Sequence, residues 1–172
     1  MDINAIIKRI VNIITKPKDE WEVIKNDSIT IADMYVKYAI FVAAIPAVAG
    51  LIGNLLIGRR VFGIWVRIPF GNAMAWMITM YVLSLASVFL LGFIIDALAP
   101  SFGSKKDMVA SMKIAIYSST AAWVAGALYV IPVLAILALL GGLYSLYLLY
   151  TGIIGIKDPP KDKATGYFIV TM

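Results

Sequence analysis

The stretch from Lys113 to Lys157, KIAIYSSTAAWVAGALYVIPVLAILALLGGLYSLYLLYTGIIGIK, holds 43 residues between its two lysines, none of them charged. As one helix it would reach about 65 Å, some twice the hydrocarbon thickness of a bilayer. It must therefore fold back once. The natural turn is Leu128–Pro132, because proline has no N–H and is best placed in the first turn of a new helix. Outward from this stretch, 21 uncharged residues lie between Lys37 and Arg59 and 28 between Arg67 and Asp96. A span needs about 20 apolar residues. The sequence thus predicts an all-α polytopic membrane protein with spans near 35–57, 73–98, 108–128 and 132–153. After KDPPKDK comes ATGYFIVTM, apolar but too short to cross. Two readings stand for it: an interfacial tail, or a fifth span from about 164 left incomplete at Met172.

Composition agrees with this class. Of 172 residues, 62% are hydrophobic and only 15% charged, with a mean hydropathy of +0.91. That leaves too little polar surface to coat a water-soluble globule, and it argues against a disordered chain or a nucleic-acid-binding domain. Histidine and cysteine are absent, which removes imidazole triads, thiol nucleophiles, the usual zinc sites and disulfides. No cofactor, metal site or enzymatic activity is expected.

Lysine and arginine set the orientation, since cytoplasmic loops carry their excess. Ten of them fall in 1–33, 99–107 and 154–163, and three (Arg59, Arg60, Arg67) fall on the other side. A cytoplasmic N-terminus follows, in what is expected to be a prokaryotic cell membrane. Residues 1–33 form a separate N-terminal segment ahead of the helical domain 34–172. In it Ile3, Ile6, Ile7, Ile10 and Ile14 recur at helical spacing. This stripe suits either the membrane interface or the protein's own bundle. A second short helix is expected from Lys16 to Lys25, with Thr15 as its cap, Pro17 in its first turn and Asp19 and Glu20 facing the dipole.

Ionisable groups inside spans are costly, which makes them candidates for function. Lys37, Asp96 and Lys113 all fall toward the cytoplasmic ends of their spans, and an Asp96–Lys113 ion pair is expected. Snorkelling of the lysines is the blander alternative. Tyr144 and Tyr147 lie deep enough to need hydroxyl partners, for which Asp96 and Ser118 are candidates. Small residues at Ser111, Ala115, Ser118, Ser119, Ala122 and Gly126, and at Ala43, Ala47, Ala49, Gly50 and Gly53, offer close helix packing. That packing serves either the monomer or a homo-oligomer.

Five stretches, in this order, carry a resemblance: PKDEWEVIK, IIDALAPSFGSKKD, KIAIYSSTAAWVAGALYVIP, GLYSLYLLYTGI and PPKDKATGYFIVTM. Together they resemble the Yip family, five-span membrane proteins that interact with Ypt/Rab GTPases, and especially its prokaryotic members. The resemblance implies five spans, a cytosolic N-terminus and, for eukaryotic relatives, a role in vesicle traffic. It favours the incomplete fifth span. The positions it picks out, Asp96, Tyr117, Trp123, Pro132, Tyr144 and Tyr147, look like helix-packing determinants.

Two functions follow as expectations. One is a scaffold that organises partners in the lipid bilayer, either copies of itself or other membrane proteins, and not nucleic acid. The other is a small channel or transporter whose pathway uses Asp96 and Lys113. The candidate intramembrane cluster is Lys37, Asp96, Lys113, Tyr117, Ser118, Trp123, Tyr144 and Tyr147.

Overall fold

A computed structural model describes residues 3–61, 64–66 and 68–172. Two short helices come first, α1 (Ile3–Thr15) and α2 (Pro17–Asn26). Thr15 does not cap α2. Its hydroxyl donates back to the Val11 carbonyl at 2.7 Å within α1, and Lys16 takes the cap position without a side-chain bond. Pro17, Asp19 and Glu20 do occupy the first turn of α2. The isoleucine stripe of α1 splits between its two uses. Ile6 and Ile13 are buried with Ile10 and Ile14 packed beside them, while Ile3, Ile7 and Val11 stay exposed.

Among the described residues, three helical runs are long and apolar enough to cross a membrane: Ile31–Leu56, Phe70–Phe102 and Pro132–Lys157. Most of their surface faces outward, with 17% of the most apolar window buried in each of the last two. Such a balance belongs to helices whose solvent is lipid. The protein is a polytopic helical membrane protein.

The first run opens at Thr30, whose hydroxyl accepts the Asp33 N–H. It continues through α3 (Ile31–Met34) and a π-helical turn (Tyr35–Ala39) into α4 (Ile40–Leu56), which contains Pro46. A small antiparallel hairpin follows, β1 (Arg59–Val61) with β2 (Ile64–Val66), an addition to the all-helical expectation. Arg67, counted above for orientation, lies outside the described residues. The second run is α5 (Phe70–Leu98), closed by a 3-10 turn (Ala99–Phe102).

The segment expected as the third span is in pieces. Helix α6 (Met108–Ser118) stops at Ser119, α7 (Thr120–Ala125) resumes, and 3-10 turns carry the chain through Gly126–Val130. Both Ser118 and Ser119 donate to the Ala115 carbonyl, at 3.2 and 2.8 Å. Two hydroxyls on one carbonyl compete with the helix ladder, and the helix breaks there. Ile131 is extended, and Pro132 begins the 3-10 turn that leads into α8 (Ala138–Gly152) and a π-helical turn (Ile153–Lys157). Last comes α9 (Lys161–Thr171), packed on α5 through Tyr167, whose hydroxyl donates to the Ile95 carbonyl and whose ring stacks on Phe102 at 5.0 Å.

Helix α6 is the centre of the molecule. Every residue from Ser111 to Ser118 is buried, because α2, α3, α5 and α8 all pack against it. Two glycines of the small-residue faces pack within the chain itself: Gly126 sits directly on Pro46, and Gly53 on the backbone of Tyr129 and Val130. No side chain would fit between them.

Candidate functional site

At the N-terminal end of the bundle, polar side chains gather around α6 in two clusters. In the first, Asp107 caps α6 by accepting the Ala110 N–H at 3.0 Å. Its own N–H donates to Asp96 on α5 at 2.7 Å, and the Ser111 hydroxyl donates to the same carboxylate at 3.1 Å. Lys157 completes the group. Its ammonium lies 3.2 Å from Asp96 and donates to the carbonyls of Lys105 at 3.2 Å and Asp107 at 3.0 Å. All three ammonium protons thus have acceptors on one loop and one carboxylate. A lysine that is 7% exposed needs that many partners.

The second cluster fastens the N-terminal helices to α6. Lys113 donates to the carbonyls of Asp27 at 2.6 Å and Lys25 at 3.2 Å, at the end of α2. These carbonyls lack partners within their own helix and carry its negative dipole end, so a cation is the fitting complement. Arg9 on α1 reaches Glu20 at 2.8 Å and Asp27 at 2.5 Å. Its guanidinium stands 5.5 Å over the Tyr117 ring, a cation–π geometry. Burial alone would lower the Arg9 pKa, but Tyr117, Asp27 and Glu20 together outweigh it and raise the value. Beneath, Tyr117 meets Tyr38 at 4.8 Å between ring centroids, and the Tyr38 hydroxyl shares a 2.8 Å hydrogen bond with Thr120.

Trp21 locks α2 onto the end of α8. Its indole N–H donates to Thr151 at 3.1 Å, and its ring lies on Gly152, where a Cβ would stand 2.7 Å from it. Lys25 adds a bond to the Gly155 carbonyl at 3.0 Å.

Several expected contacts are replaced by others. The Asp96–Lys113 pair does not form, because Lys157 and the end of α2 are closer partners for each. Tyr144 donates to the Ile14 carbonyl at 2.7 Å instead of to Asp96 or Ser118, and so pins α1. Tyr147 is half-exposed and rests against Tyr144 at 5.5 Å. Lys37 stays outside the clusters in an i,i+4 pair with Asp33. Trp123 lies in the other half of the bundle, its N–H on the Ser84 hydroxyl at 2.8 Å. Of the eight candidates, only Asp96, Lys113, Tyr117 and Ser118 gather on or beside α6. Sequence reading missed Arg9, Trp21, Glu20, Asp27 and Lys157. Trp21 and Ile24, one turn apart in PKDEWEVIK, were the signal that this segment docks on something.

The sequence profile of the Yip1 domain family matches residues 11–172. Inner membrane protein YohC of Escherichia coli K12 is 25% identical over 129 residues, which is 74% of this chain and 66% of that protein. The same protein of Escherichia coli O6:H1 matches to the same extent. The chain thus spans just under two thirds of the length of the curated relatives it matches. No solved structure matches it. A profile match over nearly the whole chain establishes the family: the chain belongs to the Yip1 domain family.

Proposed function

We propose that this protein is a non-enzymatic scaffold of the inner membrane, which presents its two N-terminal helices to the cytoplasm as a fixed platform for membrane partners. One observation carries the reading. The charges at that end of the bundle are engaged as struts, Lys113 on α2, Arg9 between α1 and α2, and Lys157 on Asp96. Groups committed in this way hold a surface in place. The surface they hold keeps Ile3, Ile7 and Val11 exposed along α1, an apolar strip open to a second protein or a second copy. The name of the Escherichia coli relative supports the inner membrane, and the lysine and arginine count supports a cytoplasmic N-terminus.

The chain has no cysteine, so Ile7→Cys provides a unique crosslinking position. In native membranes it is expected to yield a defined adduct, with itself or one membrane protein, that is lost in Ile7→Cys/Arg9→Met. A strictly monomeric product with no adduct would overturn the scaffold. So would ion or proton flux in liposomes above empty vesicles that is abolished by Asp96→Asn, which is the transporter outcome.

A further inference from the structure

Contacts across the bundle fix the heights of α5 and α8 against each other. The Trp123 indole donates to Ser84 on α5 and the Ala122 N–H to Ser145 on α8, which sets Ser84 and Ser145 level. Nearer the N-terminal helices, Lys157 at the end of α8 meets Asp96 on α5. Asp96 stands 12 positions beyond Ser84, and Lys157 stands 12 beyond Ser145. The two helices therefore keep step. Their far ends are level too. Phe70 opens α5 about 21 Å from Ser84. Val133 lies about 20 Å from Ser145, because Pro132–Leu137 rises faster as a 3-10 turn. Phe70 and Val133 are both exposed.

The near ends do not match. On α8, Leu139, Leu140, Leu143 and Leu146 face outward as far as Tyr147. Beyond it Leu148, Leu149, Gly152 and Ile153 are buried, because α2 lies alongside, with Trp21 on Gly152 and Lys25 on Gly155. The start of α2 shares a shallow hollow with Tyr147, and Lys18 and Asp19 are exposed there. The outward surface thus changes from leucine to charge within one turn. The exposed Lys37–Asp33 pair marks the same low edge on the first run, since Tyr35 between them donates to the Leu85 carbonyl. On α5 the outward surface stays apolar through Phe89, Leu90 and Phe93, and α9 widens it with Ile169 and Val170.

The apolar band is about 24 Å tall along α8, from Val133 to Tyr147, and about 35 Å along α5, from Phe70 to Phe93. Bilayer hydrocarbon is about 30 Å thick, too thick for one flank and too thin for the other. Tilting the bundle does not reconcile them, because levelling the near edge unlevels the far one. Lipid thickness adjusts at modest cost, whereas a carboxylate held in hydrocarbon is expensive, and Asp19 is too short to snorkel.

We infer that this protein deforms its own bilayer, holding the surface on the side of the N-terminal helices about 10 Å lower at α8 than at α5. Its partner on this surface is the surrounding lipid, thinned against α8 and thickened against α5. The step rests on helix heights alone and holds whichever side of the membrane is the cytoplasm.

Nitroxide labels on single cysteines of the cysteine-free chain read the step. Tyr147, Phe89 and Phe93 all face outward, with Tyr147 the lowest above the Ser84–Ser145 level and Phe93 the highest. The full chain is reconstituted in dioleoylphosphatidylcholine vesicles, and each label is relaxed by a water-soluble nickel chelate and by oxygen, which concentrates in hydrocarbon. In a flat bilayer of any thickness the nickel-to-oxygen ratio rises from Tyr147→Cys through Phe89→Cys to Phe93→Cys. The step reverses that order, with the ratio highest at Tyr147→Cys. Phe70→Cys and Val133→Cys at the far end should give equal ratios. A ratio that rises with height, or is equal at the three near positions, would overturn the inference. So would the reversed order accompanied by a higher ratio at Phe70→Cys than at Val133→Cys, which is the signature of a rigid tilt in a flat bilayer. Because every replaced side chain faces outward, the variants keep the buried core intact.

Discussion

At Arg9 a single guanidinium bridges the carboxylates of Glu20 and Asp27 and covers the ring of Tyr117. Glu20 depends on it most, because its side chain is only 7% exposed whereas that of Asp27 is 33% exposed. Removing the cation leaves Glu20 buried without its counter-charge, and breaking a pair of this kind costs about 3–5 kcal/mol. Arg9→Met should therefore lower the thermal stability of the purified protein strongly. Arg9→Met/Glu20→Leu removes both charges, and apolar replacement of a whole buried pair is often close to neutral. The double variant should thus be more stable than Arg9→Met alone. Unfolding followed by tryptophan fluorescence in detergent closes the mutant cycle, and strictly additive losses would mean that the pair is not coupled. None of this was legible at the residue scale. In sequence Arg9, Glu20 and Asp27 are three charges among many in a mixed, polar segment. What joins them is the packing of α1 against α2.

Helices were more legible than their partners, and for a physical reason. Crossing a bilayer is a one-dimensional requirement on length and hydropathy, so the uncharged stretches mark where the long helices run. Where α6 breaks depends instead on Ser118 and Ser119 competing for one carbonyl, a local effect that hydropathy does not register. Partner choice is less visible still. Asp96 was picked out as an intramembrane charge, yet its counter-ion lies 61 positions away, at the end of a different helix. Lys113 is the instructive element-scale case, since it acts on α2 as a whole by binding the carbonyls at its end. A cation in this buried position at a helix end contributes up to about 2 kcal/mol. Lys113→Met should therefore loosen α2 ahead of the bundle. Hydrogen exchange read by mass spectrometry should rise across Pro17–Asn26 and stay unchanged in α5 and α8. Protection of α2 equal to that of the unaltered protein would show that Trp21 and Arg9 suffice to hold it.

For the molecule as a whole, the two ends of the bundle differ in kind. One gathers the N-terminal helices, the loop after α5, the start of α9 and the polar clusters. The other holds the Arg59–Arg60 hairpin, the turn at Ile131 and an apolar cavity between α4, α5 and the third segment. Ten lysines and arginines fall in segments 1–33, 99–107 and 154–163, which belong to the first end, and three in segment 57–69. The three sit in one short loop, the type in which positive charge most strongly resists translocation, so the ten must dominate. That predicts the polar-cluster end in the cytoplasm and the hairpin outside. Single cysteines in the cysteine-free chain test it at three exposed positions of the first end (Lys18, Ser101, Lys161) and at Arg59. A membrane-impermeant maleimide applied to intact cells should label only Arg59→Cys. Lys18→Cys, Ser101→Cys and Lys161→Cys should react once the membrane is opened. The fold ties these last three sites to one side, so they must switch together. If they label from outside while Arg59→Cys does not, the orientation is inverted and the N-terminal platform faces away from the cytoplasm. If they split between the two sides, the third segment does not cross the membrane despite its 23 residues from Met108 to Val130. The broken helix around Ser119 is therefore where this prediction is most exposed.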